Sequence, residues 1–322
     1  MATSNPPKPS NLLKIIWEAL IFLTNNWKPA LIYIFFYSTF FPLSFFQSSA
    51  ITPIITNLQQ NLISLSKLKP QDPDFYQTLT VILTEIREIT AKETVFYVAI
   101  FFLSTLLLAS TLCFICMAYA DKKQPELKEL LSKFRRTWKG ALITQFYVTI
   151  FGHMSVFISF LLTCGIALFS VNFAGVAVSF VLLILGVILY PYLAMIWLLS
   201  VVVSVEEEEG GGGRINGLAA IVKATEMMKG RRLKGILIAF ILILLNLVVC
   251  LPPLMHLSSS ESKEMVILGI FFVVGAVVKL FELVVVVVFY FECRNGGGLK
   301  MNKFGAEYSK LASEDTVDSE IP

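Results

Sequence analysis

Two ionisable residues lie inside an apolar run near the end of the chain. Lys279 and Glu282 stand three positions apart in a stretch, 265–291, that is otherwise uncharged. Side chains at this spacing share a helix face and can form an ion pair across one turn. Charges in hydrocarbon mark either a pair that lowers the cost of burying both groups or part of a substrate or proton path. The residues alone leave both interpretations open.

A run of four glutamates and four glycines, 206–213, raises the question of phosphate or metal binding. Gly212 and Gly217 have the spacing of the glycines in a phosphate-binding loop. Leu218 and Ala219 follow, however, where that loop needs a lysine and a hydroxyl residue. Consecutive glutamates on a helix point about 100° apart, so they do not converge on calcium. The run favours a solvated helix end followed by a flexible hinge.

Cations with apolar neighbours follow this hinge and indicate a membrane surface. Apolar residues recur at helical spacing from Ile215 to Val222, and cations gather between 223 and 234. An amphipathic helix of this kind places its apolar face on the bilayer and its cations among anionic headgroups. The segment 121–140 combines an apolar stripe and cations in the same way. The candidate lipid-surface residues are Lys223, Lys229, Arg231, Arg232, Lys234, Arg135 and Arg136.

The composition requires lipid as the solvent for much of the chain. Of the 322 residues, 56% are hydrophobic and 15% are charged, whereas soluble domains average about 25% charged residues. Apolar runs long enough to cross a hydrocarbon core of about 30 Å recur. We therefore predict an all-α polytopic membrane bundle with about six transmembrane helices plus amphipathic interfacial helices. The predicted spans are 29–48, 94–120, 141–164, 174–205, 235–255 and 265–291.

The distribution of lysine and arginine predicts the orientation in the membrane. With the N-terminus in the cytoplasm, 20 of these residues fall in inside segments and 5 in outside loops, as the positive-inside rule requires. Both termini are then cytoplasmic, at an endomembrane or the plasma membrane. The predicted organisation begins with a cytoplasmic N-terminus that contains an interfacial amphipathic helix (1–28). A six-span membrane domain (29–292) follows, with an outer loop (48–93) that forms a helical hairpin and two cytoplasmic loops (121–140 and 206–235). The chain continues into a cytoplasmic tail with an acidic end (293–322).

The stretch that leads from the fourth span into the fifth has a distinctive pattern. A tryptophan-containing helix ends in Val-Ser-Val-Glu, and a glycine, an amphipathic segment and a Lys-Gly-Arg-Arg step follow. The residues of this pattern are Trp197, Ser204, Glu206, Gly213 or Gly217, Lys229, Gly230, Arg231 and Arg232. It resembles a plant family of uncharacterised six-span membrane proteins, loosely similar to the families named for the membrane domain of glycerophosphodiester phosphodiesterases. The resemblance implies six spans and no known reaction, because the phosphodiesterase activity belongs to a separate soluble domain.

No catalytic constellation accompanies these features, since the sequence has no HxxxD acyl-transfer box, GxSxG elbow or HExxH zinc helix. We therefore predict a non-enzymatic multi-pass protein that organises or binds lipids or partner proteins at the cytoplasmic membrane surface. The alternative is a transporter or channel for a small solute or ion that uses the polar residues of the sixth span. The predicted partners are the bilayer, including anionic lipids, and other membrane proteins. No nucleic acid, cofactor or metal ion is predicted.

Overall fold

A computed structural model describes residues 12–121, 125–169, 173–207, 215–256 and 262–296, and the regular elements in these ranges are all α-helices. They are α1 (Leu12–Asn25), α2 (Trp27–Ser38), α3 (Phe40–Leu65), α4 (Pro73–Asp121), α5 (Leu127–Phe169), α6 (Phe173–Glu206), α7 (Gly217–Met228), α8 (Arg232–His256) and α9 (Ser262–Gly296). The prediction of an all-α bundle is confirmed.

Six helical segments within the described ranges are long and apolar enough to cross a membrane, as predicted. Each of them overlaps one of the predicted spans. The first combines α2 and α3, which are separated only at Thr39, and the others belong to α4, α5, α6, α8 and α9. The segments are Ala30–Leu65, Pro73–Ala120, Leu127–Gly165, Ile184–Glu206, Arg232–Val249 and Gly269–Arg294.

Two spanning helices are much longer than the sequence predicts. The 49 residues of α4 extend about 74 Å at 1.5 Å per residue, more than twice the thickness of the hydrocarbon core. The 43 residues of α5 begin at Leu127. The amphipathic segment of the 121–140 loop is therefore the first part of a spanning helix, and the prediction of a separate surface helix there is wrong. Because no proline interrupts the chain between Leu127 and Phe169, the helix propagates without a break.

The end of α3 and the start of α4 form an antiparallel hairpin, as predicted for this segment. The turn at 66–72 is closed where the backbone N–H of Lys69 donates to Asp72 Oδ2 at 2.9 Å. Asn61 Nδ2 of α3 donates to Glu85 Oε1 of α4 at 2.9 Å. Closer to the bundle, Gln47 Nε2 donates to Glu93 Oε2 at 2.6 Å. Each arm of the hairpin is continuous with a spanning helix, so the hairpin is a direct extension of the bundle.

The buried side chains are concentrated in one half of the bundle, around α6. This helix continues through Pro191 and packs against α4, α5, α7, α8 and α9. Its residues 195–205 meet 109–116 of α4 and 280–293 of α9 in the hydrophobic core. In the other half, α5 carries large exposed apolar side chains such as Phe157 and Phe160. An apolar surface of this extent is typical of a membrane-facing region.

Candidate functional site

The packed half of the bundle finishes in a set of ion pairs that we call the charged end. It comprises the start of α5, the ends of α6 and α9, α7, and the start of α8. Lys133 Nζ of α5 lies 2.6 Å from Glu206 Oε2 of α6, and the Glu206 side chain is only 13% exposed. Lys234 Nζ of α8 lies 2.9 Å from Glu292 Oε1 of α9. Each pair connects two consecutive helices through residues that are 73 and 58 positions apart in the sequence.

The first two residues of the glutamate run belong to the bundle and not to solvent. Glu207 Oε1 accepts the hydroxyl of Tyr290 at 3.0 Å, and its other carboxylate oxygen lies 4.0 Å from Lys223 Nζ. The prediction of a solvated helix end is therefore wrong for Glu206 and Glu207, because α6 ends between α5 and α9. The rest of the run and the predicted hinge, 208–214, lie outside the described residues.

The start of α7 is fixed at a position that only glycine can occupy without strain. Gly217 has a φ of +57°, in the left-handed region that other residues enter only at a cost. Its backbone N–H donates to Thr144 Oγ1 of α5 at 2.8 Å. A Cβ at this position would lie 3.2 Å from the ring of Tyr147. The buried residues of α7 are Gly217, Ala220, Ala224, Met227 and Met228.

Two large aliphatic side chains of α7 point away from the bundle, whereas Ile221 packs against the core. Leu218 and Val222 are 50% and 59% exposed, and Ala219 between them is exposed as well. Ile215, which precedes the helix, packs on the core instead. The apolar stripe predicted for this segment is thus outside the bundle except at Ile215, because α7 uses a face of mostly small residues for packing.

The predicted lipid-surface cations divide into a paired group and an exposed group. Arg231 Nη1 donates to the backbone carbonyl of Glu292 at 2.7 Å and lies 3.4 Å from Glu292 Oε1. Lys234 shares that carboxylate, and Lys223 approaches Glu207. These three cations are contacts within the fold. The exposed cations are Arg135, Lys229 and Arg232, and Arg136 is exposed as well but also has an interaction within the structure.

A cleft opens between α5 and α6 at the charged end, with a volume of about 560 Å³. Three residues of its lining, Lys128, Ser132 and Arg136, are spaced by four along α5 and therefore share one helix face. This cleft could not be predicted from the sequence, because it depends on the position of the end of α6. The sequence feature that could have indicated the cleft was the series of basic residues in the segment 121–140. The lining residues are Lys128, Glu129, Ser132, Lys133, Arg136, Val205 and Glu206.

The intramembrane pair is present, and a third polar group completes it. Lys279 Nζ lies 2.8 Å from Glu282 Oε2 on α9. Asn246 Nδ2 of α8 donates to the same oxygen at 3.2 Å, and Glu282 is 8% exposed. The carboxylate is thus held by two donors on adjacent helices. His153 of α5 lies edge-on to the ring of Tyr97 and adds no contact to this pair.

Metal-ligating residues are scattered in the described part of the chain. Within those ranges, no three His, Cys, Asp or Glu side chains are grouped as a metal site. Cys113 and Cys116 are buried in the core, and Cys113 Sγ lies 3.2 Å from Thr137 Oγ1. Both cysteines of this CxxC sequence are thus part of the packed core.

The family described as "Domain of unknown function (DUF8558)" matches residues 11–303. The chain belongs to this family. Neither a curated protein nor a solved structure matches the chain. The family match includes both the six apolar helices and the charged end, so both are parts of one domain. The six apolar helices are consistent with a membrane protein, and the family description assigns no reaction.

Proposed function

We propose that this is a non-enzymatic multi-pass membrane protein that binds anionic lipid at the cytoplasmic surface of its charged end. The observation that carries the proposal is the combination of exposed apolar and cationic side chains on and after α7. Leu218 and Val222 are about half exposed, and Lys229 and Arg232 are exposed within the next ten residues of the chain. Such a surface gains free energy both from apolar burial in the bilayer and from attraction to anionic headgroups.

The division of the cations supports the same function. Arg231 and Lys234 are committed to Glu292. In contrast, Arg135, Lys229 and Arg232 form no ion pair with a described residue. Exposed cations of this kind remain available for headgroups, whereas paired ones would first have to leave a carboxylate.

The proposed orientation depends on the excess of lysine and arginine in the loops of the charged end. This excess favours the cytoplasm, and we extend it to both termini. The resemblance to a plant family of six-span proteins favours an endomembrane or the plasma membrane of a plant cell. Partner membrane proteins are a second class of ligand for the same surface, because exposed aliphatic side chains with a cationic rim serve either one.

The test compares lipid retention by the full-length protein and by two variants with equal loss of charge. The first replaces the exposed cations of the charged end (Arg135→Gln, Lys229→Gln, Arg232→Gln). Each cation near an anionic surface contributes about 1 kcal/mol, so we expect at least tenfold weaker retention of phosphatidylserine, measured by native mass spectrometry of protein released from nanodiscs. The control replaces exposed cations of the α3–α4 hairpin (Lys67→Gln, Lys69→Gln, Arg87→Gln) and should retain the lipid. An equal loss in both variants would refute lipid binding at the charged end.

The alternative function, transport of a small solute or ion, is favoured by one observation. The Glu282 carboxylate is buried within a spanning helix beside Lys279 and Asn246, and intramembrane ionisable groups often mark ion paths. Proteoliposomes that contain a pH-sensitive dye should then show proton flux under an imposed gradient. The variant Lys279→Met with Glu282→Gln should abolish it. Intact protein without flux of protons or of alkali cations would count against transport.

A further inference from the structure

One side of the α3–α4 hairpin is apolar and is left uncovered by the rest of the described chain. Five large side chains on this side are 45–64% exposed. They lie beyond the predicted spans, because Ile55 follows residue 48 by seven positions and Ile86 precedes residue 94 by eight, about 10–12 Å along a helix. We call this side the apolar hairpin face. Its residues are Ile55, Leu62, Tyr76, Leu83 and Ile86.

These side chains come together because the two helices are antiparallel. Asn61 of α3 contacts Glu85 of α4 across the hairpin. Leu62 and Ile86 each follow one of these contact positions by one residue, which turns the helix by about 100°. On antiparallel neighbours, the same step points to the same side of the pair. The opposite side is a mainly polar groove of about 490 Å³, lined by Asn61, Ser64, Lys67, Leu68, Asp74, Gln77, Thr78 and Val81.

The continuity of the hairpin with the spanning helices argues against the membrane surface as the partner of this face. Because α4 is one helix from Pro73 to Asp121, the hairpin continues the direction of a span away from the bilayer. A helix buries an apolar face among headgroups only when it lies in the plane of the membrane. The apolar hairpin face therefore fits a partner that also stands away from the bilayer.

We propose that the apolar hairpin face binds the same face of a second copy of this chain, in a dimer whose twofold axis runs along the membrane normal. A second copy in the same membrane presents an identical face at the same height, as a self-complementary interface requires. Asn61 and Glu85 are in contact and therefore at one level. Leu62 lies one residue and Leu83 two residues beyond this contact toward the hairpin turn, so their heights differ by only about 2 Å. The twofold axis keeps these heights, so Leu62 of each copy faces Leu83 of the other.

The face carries no charge, which favours contact between identical surfaces. Like charges that are brought together across an interface cost free energy, and a twofold axis brings each charge near its own copy. The charged side chains of the two helices lie on other sides or at the turn. The residues on this side of the helices are Thr52, Ile55, Gln59, Leu62 and Ser66 of α3, and Tyr76, Leu79, Leu83, Ile86 and Thr90 of α4.

The exposed apolar area is large enough for a specific dimer. Side chains of this size have about 150–250 Å² of surface, so five of them at about half exposure leave roughly 500 Å² in each copy. Two copies would bury roughly 1,000 Å² of apolar surface, which reaches the size expected of a biological interface. A single apolar patch of this extent on a monomer also marks an interaction site.

The test measures the mass of the full-length protein in mild detergent by light scattering after size-exclusion chromatography. We expect twice the chain mass of 36.0 kDa at micromolar concentration. Leu62→Glu with Leu83→Glu places carboxylates opposite each other and should raise the dissociation constant of the dimer at least tenfold. Because both side chains are exposed in one copy, the variant should keep the fold of the monomer. The control, Gln60→Glu with Gln77→Glu, adds the same charge at exposed positions outside the face and should remain dimeric.

A second variant tests the pairing of the two copies directly. Leu62→Lys with Leu83→Glu places opposite charges across the twofold axis and should restore most of the dimer. If it stays as monomeric as the variant with two glutamates, Leu62 and Leu83 do not face each other and the proposed dimer is overturned. A dimer that survives Leu62→Glu with Leu83→Glu would place the interface elsewhere, with the same consequence.

The remaining outcomes identify another occupant of the face. Unaltered protein that is monomeric both in detergent and in lipid nanodiscs would overturn the dimer. If the hairpin amides of such a monomer were protected from hydrogen exchange only in nanodiscs, the bilayer would cover the face. A stoichiometric complex with a different protein, broken by Leu62→Glu with Leu83→Glu, would assign the face to that protein and refute self-association.

Discussion

At the charged end, part-buried carboxylates bind cations from other helices, whereas the α3–α4 hairpin pairs its charges within one helix or satisfies them with amides. Lys133 and Glu206 belong to different helices, and the Glu206 side chain is 13% exposed. In the hairpin, Lys92 pairs with Glu88 four residues earlier on α4, and the Glu88 side chain is 52% exposed. The contacts between the two hairpin helices use the amides of Gln47 and Asn61 as donors.

This difference shows that ion pairs between lysine and glutamate have two roles in one molecule. An exposed pair contributes about 0–1 kcal/mol, because water screens it and holding two long side chains costs entropy. A pair that is mostly removed from water is costly to break, since the remaining partner is left desolvated without compensation. The paired charges of the charged end thus hold helices together. The exposed cations around them are the ones available for ligands.

Among substitutions that test this difference between the two regions, we expect the largest loss of stability at Glu292. Its Oε1 accepts from Lys234 and lies near Arg231, and both cations are 22% exposed. Glu292→Ala leaves these two cations close to each other without a carboxylate. We expect a loss of about 2–3 kcal/mol of stability, just below the range of about 3–5 kcal/mol for a fully buried pair.

The measurement is thermal unfolding in detergent with a thiol-reactive dye. Cys113 and Cys116 are buried in the core near the charged end, so the dye reports when that half opens. The matched control is Glu88→Ala in the hairpin, which removes the partner of Lys92. It should cost about 0.5 kcal/mol or less. Equal shifts in the melting temperature would show that the two ends do not differ as the geometry indicates.

The spans could be predicted from the sequence because apolar runs of this length have few alternatives to a membrane helix. The continuity of α4 and α5 could not. The polar part of α4, before residue 94, has the same helical period as its spanning part. The composition changes there, but no proline or glycine interrupts the chain until Asp121. A change of polarity marks where the solvent changes, whereas only a breaker or a competing contact ends a helix.

The candidate site could be predicted only as a group of cations. Arg231 and Arg232 are adjacent in the sequence, yet Arg231 is part-buried against Glu292 and Arg232 is exposed. Arg231 directly precedes α8 and Arg232 is its first residue, so a one-residue difference at the helix start decides which of them meets the bundle. That choice depends on the position of α9, which the local pattern around 231 does not contain. The cleft beside Glu206 could not be predicted for the same reason, because it depends on how two helices are placed relative to each other.

A smaller effect is expected at the start of α7, where a substitution sharpens the comparison by testing what holds this helix on the bundle. Gly217 combines a φ of +57° with a tight approach to Ile143 and Tyr147. In Gly217→Ala the left-handed conformation costs about 1–2 kcal/mol, and the added methyl group meets Tyr147 at 3.2 Å. We expect a loss of about 1–2 kcal/mol in the same unfolding measurement, with weaker phosphatidylserine retention if Leu218 and Val222 shift.

The control for this change is Gly186→Ala in α6, where an added Cβ meets nothing within 4 Å and the backbone is helical. Alanine has the higher helix propensity, so this variant should be neutral or stabilising by up to about 1 kcal/mol. If Gly217→Ala were equally harmless, the left-handed start would not fix α7 on α5, and its exposed apolar face would need another explanation. A loss confined to Gly217→Ala would instead link the orientation of that face to one backbone conformation.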